Sequence, residues 1–152
     1  PWNQLIKYVI LRLNYKYKVE MHINSKATDI HADSERIYHL ISDCQGLKQF
    51  LPEQIQDWEA GENYCQFNVA GIATLKMEIT ERVAFSKVSY LISNDKQIPI
   101  HCLFTIETKG MTSDLNLAID AEVPLFLQAM LKNPLQKFAD VIVDKLKQNV
   151  EL

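Results

Sequence analysis

The segment from Ile55 to Val123 constrains the fold more than any other part of the chain. Apolar and polar side chains alternate along it, which is the period of a β-strand with one buried and one solvated face. Turn signals such as Gly61-Glu62-Asn63, Ala70-Gly71 and Lys109-Gly110 interrupt the alternation at the spacing of an antiparallel meander. We therefore predict six strands, over residues 55–60, 64–70, 73–80, 88–93, 100–107 and 114–123.

One further strand and two short helices precede this segment. Residues 22–32 are compatible with a strand and provide the predicted first strand of the sheet. Asp33 fits the N-cap of a helix over 34–43, because an acceptor side chain is favoured at that position. A second, very short helix over 47–51 ends before Pro52. The chain thus leaves the sheet after its first strand and returns to it for the other six.

The last predicted element is a long helix from Pro124 to about residue 148. Residues 125–131 are apolar on nearly every side, which predicts that this first half of the helix is buried on most sides. The second half is amphipathic. Pro134 cannot donate a hydrogen bond to the carbonyl of Met130, so we expect a kink between the halves.

Three local patterns and this order of elements resemble one known superfamily. The first pattern is Asp29-Ile30-His31-Ala32-Asp33, which is followed at once by the start of a helix. The second is Ser42-Asp43 followed by Phe50-Leu51-Pro52, and the third is residues 133–138. They are similar to the helix-grip superfamily, which includes START lipid-transfer domains, birch-pollen-allergen-like proteins, polyketide cyclases and coenzyme-Q-binding proteins. The resemblance covers about residues 21–148 and is to small bacterial members most of all.

The resemblance implies the fold and the general kind of ligand. The expected fold is α+β, with a curved seven-stranded antiparallel sheet around a long kinked C-terminal helix and two short helices after strand 1. In the superfamily, the cavity between sheet and helix holds an apolar ligand, while function varies from member to member. We accordingly expect a START-like domain over residues 21–152, preceded by an extension over residues 1–20.

The extension differs in charge from the rest of the chain. Residues 1–18 contain four basic side chains and no acidic one, whereas the remaining residues contain twelve basic and nineteen acidic side chains. The segment fits a helix as well as a β-rich stretch, and both stay open. The helical alternative puts one apolar stripe together: Trp2, Leu5, Ile6, Val9 and Leu13. We favour a plain N-terminal extension over a basic, aromatic anchor that makes peripheral contact with anionic lipid.

Composition and motif spacing argue against several function classes. The net charge of −3 argues against nucleic acid as a partner. Cys44, Cys65 and Cys102 form no Cys-x-x-Cys pair, and the four histidines have no zinc-binding spacing, so we predict no metal and no cofactor. The odd number of cysteines and the lack of a signal peptide predict a cytoplasmic protein. No apolar run approaches 20 residues, so we predict no transmembrane segment. The oligomeric state stays open.

The inward face of the sheet and the first half of the long helix supply the candidate ligand site. We predict no catalytic residues, and an enzyme is the less favoured interpretation, because no nucleophile–base pair can be assembled. The residues expected to line an elongated apolar cavity are Phe67, Met77, Tyr90, Cys102, Phe104, Leu117, Phe126 and Met130. They would bind a hydrophobic small molecule, lipid-like or polycyclic, although the same residues fit a solid core equally well.

Two alternative functions remain open from the sequence. The first is an enzyme similar to polyketide cyclases or aromatases, in which Tyr90 is the one inward candidate for moving a proton. The second is a protein-interaction adaptor, which would combine a filled core with a large exposed apolar patch.

Overall fold

The fold is built on one antiparallel sheet of seven strands. The computed structural model describes residues 1–69 and 73–151 and, in the first helix, the side chains of residues 1–9 and 12. The elements before the meander are α1 (Trp2–Lys16), β1 (Lys18–Ile30), α2 (Ser34–Ile41) and a 3₁₀ helix (Leu47–Phe50). The later elements are β2 (Ile55–Ala60), β3 (Tyr64–Val69), β4 (Ala73–Val83), β5 (Lys87–Asn94), β6 (Ile100–Lys109), β7 (Thr112–Pro124) and α3 (Leu125–Val150).

The strand order confirms the predicted α+β helix-grip architecture. The strands follow one another as β1-β7-β6-β5-β4-β3-β2, and every neighbouring pair is antiparallel. The last six strands form a meander, and β1 closes the order by pairing with β7. The curved sheet, the two short helices after β1 and the long C-terminal helix are those expected. The predicted turn at Ala70 and Gly71 lies outside the described residues.

The first strand begins earlier than predicted. It starts at Lys18, which pairs with Pro124, rather than at residue 22, and it ends at Ile30 rather than at 32. The open choice for the preceding segment is thereby resolved, because residues 2–16 form a helix that includes the strand-favouring Tyr8 and Val9. The strand bounds depend on β7, a partner almost a hundred residues away, so local patterns did not define them.

The helix boundaries depend on local chemistry. Asp33 is the N-cap of α2 as predicted, and its Oδ1 accepts a hydrogen bond of 2.9 Å from the backbone N–H of Arg36. Pro124 is the N-cap of α3 rather than its first residue, with φ −54° and ψ 141°. The helix then continues without interruption through Pro134 to Val150. The N–H of Leu125 donates to the carbonyl of Tyr17 at 3.0 Å, which ties the start of α3 to the start of β1.

The helices cover the inward face of the sheet unevenly. We call the end at which β7 finishes and α3 begins the open end, and the opposite end the closed end. At the closed end, α2 packs on β5 and β6, and the second half of α3 reaches the 3₁₀ helix. Along its length, α3 packs mainly against β1 and β7, the two strands at one edge of the sheet. The middle strands at the open end are therefore left without a close helix.

The first half of α3 is not buried on most sides, so that prediction is wrong. Leu125 is 47% exposed and Met130 is 68% exposed, whereas the core residues of α3 all come after Pro134. The physical reason is the position of the helix. A helix near the edge of a sheet contacts the sheet along one side only, and α1, which makes few contacts with α3, leaves much of the remainder of its first half uncovered.

Asp114, near the start of β7, is a buried carboxylate. Its side chain is 3% exposed, and its Oδ2 lies 2.6 Å from Lys109 Nζ and 3.8 Å from Lys26 Nζ. Its Oδ1 accepts a hydrogen bond of 3.0 Å from the N–H of Asp29, a residue with φ 53° at the register shift in β1. The hydrogen bond from Lys109 lowers the pKa of this carboxyl most, and the hydrogen bond from the Asp29 N–H lowers it further.

Candidate functional site

The six predicted site residues on strands share the inward face of the sheet. The register pairs Tyr90 with Cys102 and Phe104 with Leu117, and places Met77 beside Cys65. The orientation predicted from the alternation is thus confirmed. Each of the six is at most 2% exposed: Phe67, Met77, Tyr90, Cys102, Phe104 and Leu117.

These six residues do not occupy one place on that face. Phe67 and Met77 lie on β3 and β4 near the open end, and Phe67 stacks on Trp58 with ring centroids 5.9 Å apart. The other four lie further toward the closed end, where Tyr90 and Phe104 meet edge to face at 6.0 Å. Side chains from α2 and the 3₁₀ helix, among them Ile37, Ile41 and Leu47, are fully buried there. The closed end is a packed core.

The hydroxyl of Tyr90 is engaged in holding α2. It donates a hydrogen bond of 2.5 Å to the carbonyl of Ile41, the last residue of that helix. Cys44 Sγ lies 3.9 Å from the same hydroxyl oxygen. Burial raises the pKa of the Tyr90 hydroxyl far above its usual range, so it stays protonated at neutral pH. A group whose proton is already given to a backbone carbonyl offers no support for proton transfer to a ligand.

The three cysteines are buried, unpaired thiols. Burial raises the pKa of Cys65 and of Cys102 to about 12, and it raises the pKa of Cys44 as well. A thiol with such a pKa is almost entirely protonated at neutral pH and is a poor nucleophile or metal ligand. Within the described ranges, no three His, Cys, Asp or Glu side chains are grouped so that they could hold a metal ion.

The open end carries apolar side chains that the fold covers only in part. Five of them lie on the inward side of the sheet or in the β5–β6 connection: Val19, Ile55, Val69, Leu75 and Ile98. On α3, the predicted site residue Phe126 and its neighbours Leu127 and Leu131 are half-buried, and the predicted site residue Met130 is exposed. The apolar walls of this half-open region therefore come from the sheet and from the first half of α3.

The sequence analysis did not assign these five residues, four on strands and Ile98 in a connection, to the ligand site. Alternation indicates which face a strand residue occupies, but it does not indicate how far a helix reaches over that face. Ile98 had no periodic signal at all, because it lies in a connection beside Pro99. The sequence signal for Ile98 was only that an apolar residue stands within a predicted turn.

The open end also contains a small depression of about 210 Å³. It is lined by the end of β5 and the connection to β6: Leu91, Ile92, Ser93, Asn94, Gln97, Ile98 and Pro99. A broader depression of about 520 Å³ lies on the outside of α2, where charged side chains such as Glu35 and Arg36 surround it. Neither depression is lined by any of the eight predicted site residues.

Comparisons with known proteins give likenesses in structure alone. No protein-family model and no curated protein matches the sequence. A truncated norcoclaurine synthase of Thalictrum flavum is similar in structure with a TM-score of 0.69 at 12% identity, and the match covers 88% of this chain and 94% of that one. A protein of Thermus thermophilus gives 0.68 at 16% identity, with 86% and 97% covered. A dimeric Aha1 of Colwellia psychrerythraea gives 0.62 at 17%, with 87% and 97% covered.

Identities of 12% to 17% carry information about the fold and not about the activity. The likenesses cover nearly the whole of each related chain, and they agree with the strand order of the sheet. The chain has the helix-grip fold, and the region of this fold that its own helices leave half-covered is the open end beneath the first half of α3.

Proposed function

We propose that this domain binds an apolar small molecule at the open end, between the sheet and the first half of α3. The observation that carries the proposal is the incomplete burial of apolar side chains on both walls of that region. Val69 and Leu75 on the sheet and Leu131 on the helix are only half-buried, although all three pack against the edge of the core. Apolar surface that remains in water on two facing elements is stabilised when a ligand covers it.

The contrast between the two ends supports this location. At the closed end, Ile41 and Phe50 are at most 1% exposed, so the space above the sheet is filled by the chain itself. At the open end, no comparable side chains from α2 or the 3₁₀ helix are available, because both helices lie at the other end. The ligand would complete at this end the packing that the short helices complete at the other.

The ligand is expected to be mainly apolar, because the side chains that face this region from the sheet are apolar and the nearby amide of Asn94 is already paired. The Oδ1 of Asn94 accepts hydrogen bonds from the N–H groups of Lys96 and Ile98, and its Nδ2 donates to the carbonyl of Ile98 at 2.5 Å. Binding would then depend on burial, at about 25 cal/mol per Å² of apolar area.

Binding would require the first half of α3 to move. The depression of about 210 Å³ at the open end is lined by β5 and its connection to β6 and by no residue of α3. The space beneath α3 would therefore have to open before it could hold a drug-sized ligand, whose pocket usually measures about 300–1,000 Å³. Pro134 has no N–H to donate to the carbonyl of Met130, so the helix is weakest at the point where its exposed first half ends. A small displacement about this point would enlarge the space without breaking the sheet.

The test is titration with N-phenyl-1-naphthylamine, a fluorescent apolar probe. We expect saturable binding, and we expect Leu131→Glu to weaken it at least fivefold, because a carboxylate then lies on the side of the helix that packs toward the core. Met111→Glu is the matched control, since Met111 is 95% exposed at the β6–β7 turn, at the other end of β7. Absence of saturable binding, or equal effects of the two substitutions, would refute the proposal.

An interaction protein with a filled core is the second candidate. The complete packing around Phe104 and Tyr90 favours it, as does the exposed apolar surface of α1, on which Trp2 is 75% exposed. The alternative of a cyclase-like enzyme has lost the support of its one candidate group, because Tyr90 is engaged with Ile41. We further propose a reducing compartment such as the cytoplasm, on the basis of the three unpaired thiols.

A further inference from the structure

We propose that α1 lies on the surface of an anionic lipid bilayer. The observation behind the proposal is an apolar stripe on a regular helix that the domain does not cover. Its described members are Trp2, Leu5, Ile6 and Val9, which are 75%, 57%, 49% and 46% exposed. Large apolar side chains normally lose water contact when a helix packs on its own domain, so this stripe has no partner within the described chain.

The domain holds the helix in place while leaving its stripe uncovered. α1 contacts α3 and β7 at a few residues each. It leads into Tyr17, whose carbonyl accepts the N–H of Leu125 at 3.0 Å. Tyr17 is 58% exposed and Leu125 is 47% exposed, so exposed side chains continue from α1 to the start of α3.

The charge of the segment selects a negatively charged partner. Residues 1–18 hold four basic side chains, Lys7, Arg12, Lys16 and Lys18, and no acidic one. The first carboxylate is that of Glu20, which pairs in register with Glu122 on the sheet. A stretch with basic and no acidic side chains thus covers α1 and the first residue of β1, although the whole chain has a net charge of −3.

These two properties together fit a bilayer better than other partners. A second copy of this chain would bring two basic helices together without an acidic residue in either, so charge opposes pairing through α1. A nucleic acid would neutralise the charge but leave Leu5 and Ile6 in water. Anionic lipid does both, because headgroups meet the basic side chains while Trp, Tyr and aliphatic side chains enter the interface. None of the helices among the described residues has the length and apolar character to cross a bilayer.

The proposal is independent of the ligand site, and its test uses the full chain. Trp2 and Trp58 are the two tryptophans, so Trp58→Phe leaves Trp2 as the reporter on the stripe. We expect vesicles of phosphatidylcholine and phosphatidylserine (7:3) to shift the Trp2 emission to shorter wavelength and to sediment the protein. Pure phosphatidylcholine vesicles should bind at least tenfold more weakly, and 0.5 M NaCl should reduce binding to the anionic vesicles by a similar factor.

Two substitutions separate the stripe from general stickiness. Leu5→Glu should reduce sedimentation with anionic vesicles at least tenfold, whereas Met111→Glu, an equally charged change at a remote exposed methionine, should leave it unchanged. Trp2→Ser provides a second stripe variant for the sedimentation assay. Because all three substituted side chains are exposed, the urea midpoints of the three variants should equal that of the unsubstituted chain.

Three outcomes would overturn the proposal. The first is no sedimentation with the anionic vesicles. The second is equal binding to neutral and anionic vesicles, which would remove the role of the basic residues. The third is a dimer, detected by analytical ultracentrifugation, that Leu5→Glu dissociates, in a protein that does not bind vesicles. This result would assign the stripe to a second copy of the chain.

Discussion

Replacement of Tyr90 by Phe tests how the closed end is held together. The hydroxyl donates to the carbonyl of Ile41 at 2.5 Å, and both groups are buried. Ile41 is the last residue of α2, where helix carbonyls have no partner within the helix. The substitution keeps the ring in contact with Phe104 but leaves this carbonyl unsatisfied. Such a loss lowers the free energy of unfolding by about 1–3 kcal/mol.

The measurement is urea unfolding followed by far-UV circular dichroism. With a urea m-value of roughly 2 kcal/mol per M, the midpoint should fall by about 0.5–1.5 M at unchanged m. Amide hydrogen exchange in α2 should become faster, because the helix loses the group that fixes its end. The matched control is Tyr64→Phe, whose hydroxyl bonds the exposed Glu59 at 2.9 Å and whose loss should cost little. Equal midpoints for the two variants would show that Tyr90 does not hold α2.

Two further predictions concern titration. Because the pKa of Asp114 lies below its ordinary 3.8 when folded, its stabilising contribution is present above that value and is lost as the pH falls through the folded pKa. Asp114→Asn should therefore reduce the loss of stability between pH 6 and pH 3. The measurement is the urea midpoint at each pH, and the same decrease in the variant as in the unsubstituted chain would contradict this. Because burial raises the pKa of Cys65 and Cys102 to about 12, both should react with iodoacetamide at pH 8 far more slowly than in urea-unfolded protein; fast labelling in the folded protein would contradict their burial.

The sequence was sufficient for properties that depend on near neighbours. Alternation with period two placed Tyr90 and Phe104 on the buried face, because successive side chains of a strand point to opposite sides. The side chain of Asp33 identified the start of α2, since a cap bonds a backbone N–H only three residues away. The element order was enough to recognise the helix-grip fold.

Only the tertiary structure decided the properties that depend on distant partners. The pairing of Lys18 with Pro124 lengthened β1, and the register shift in β1 brought the N–H of Asp29 to the buried carboxyl of Asp114. The same holds for α3. Its apolar first half predicted burial, but burial requires facing atoms, and a helix that packs on the edge strands has them along one side only. Met130 is therefore exposed because of where α3 lies against the sheet, which no pattern within residues 125–131 encodes.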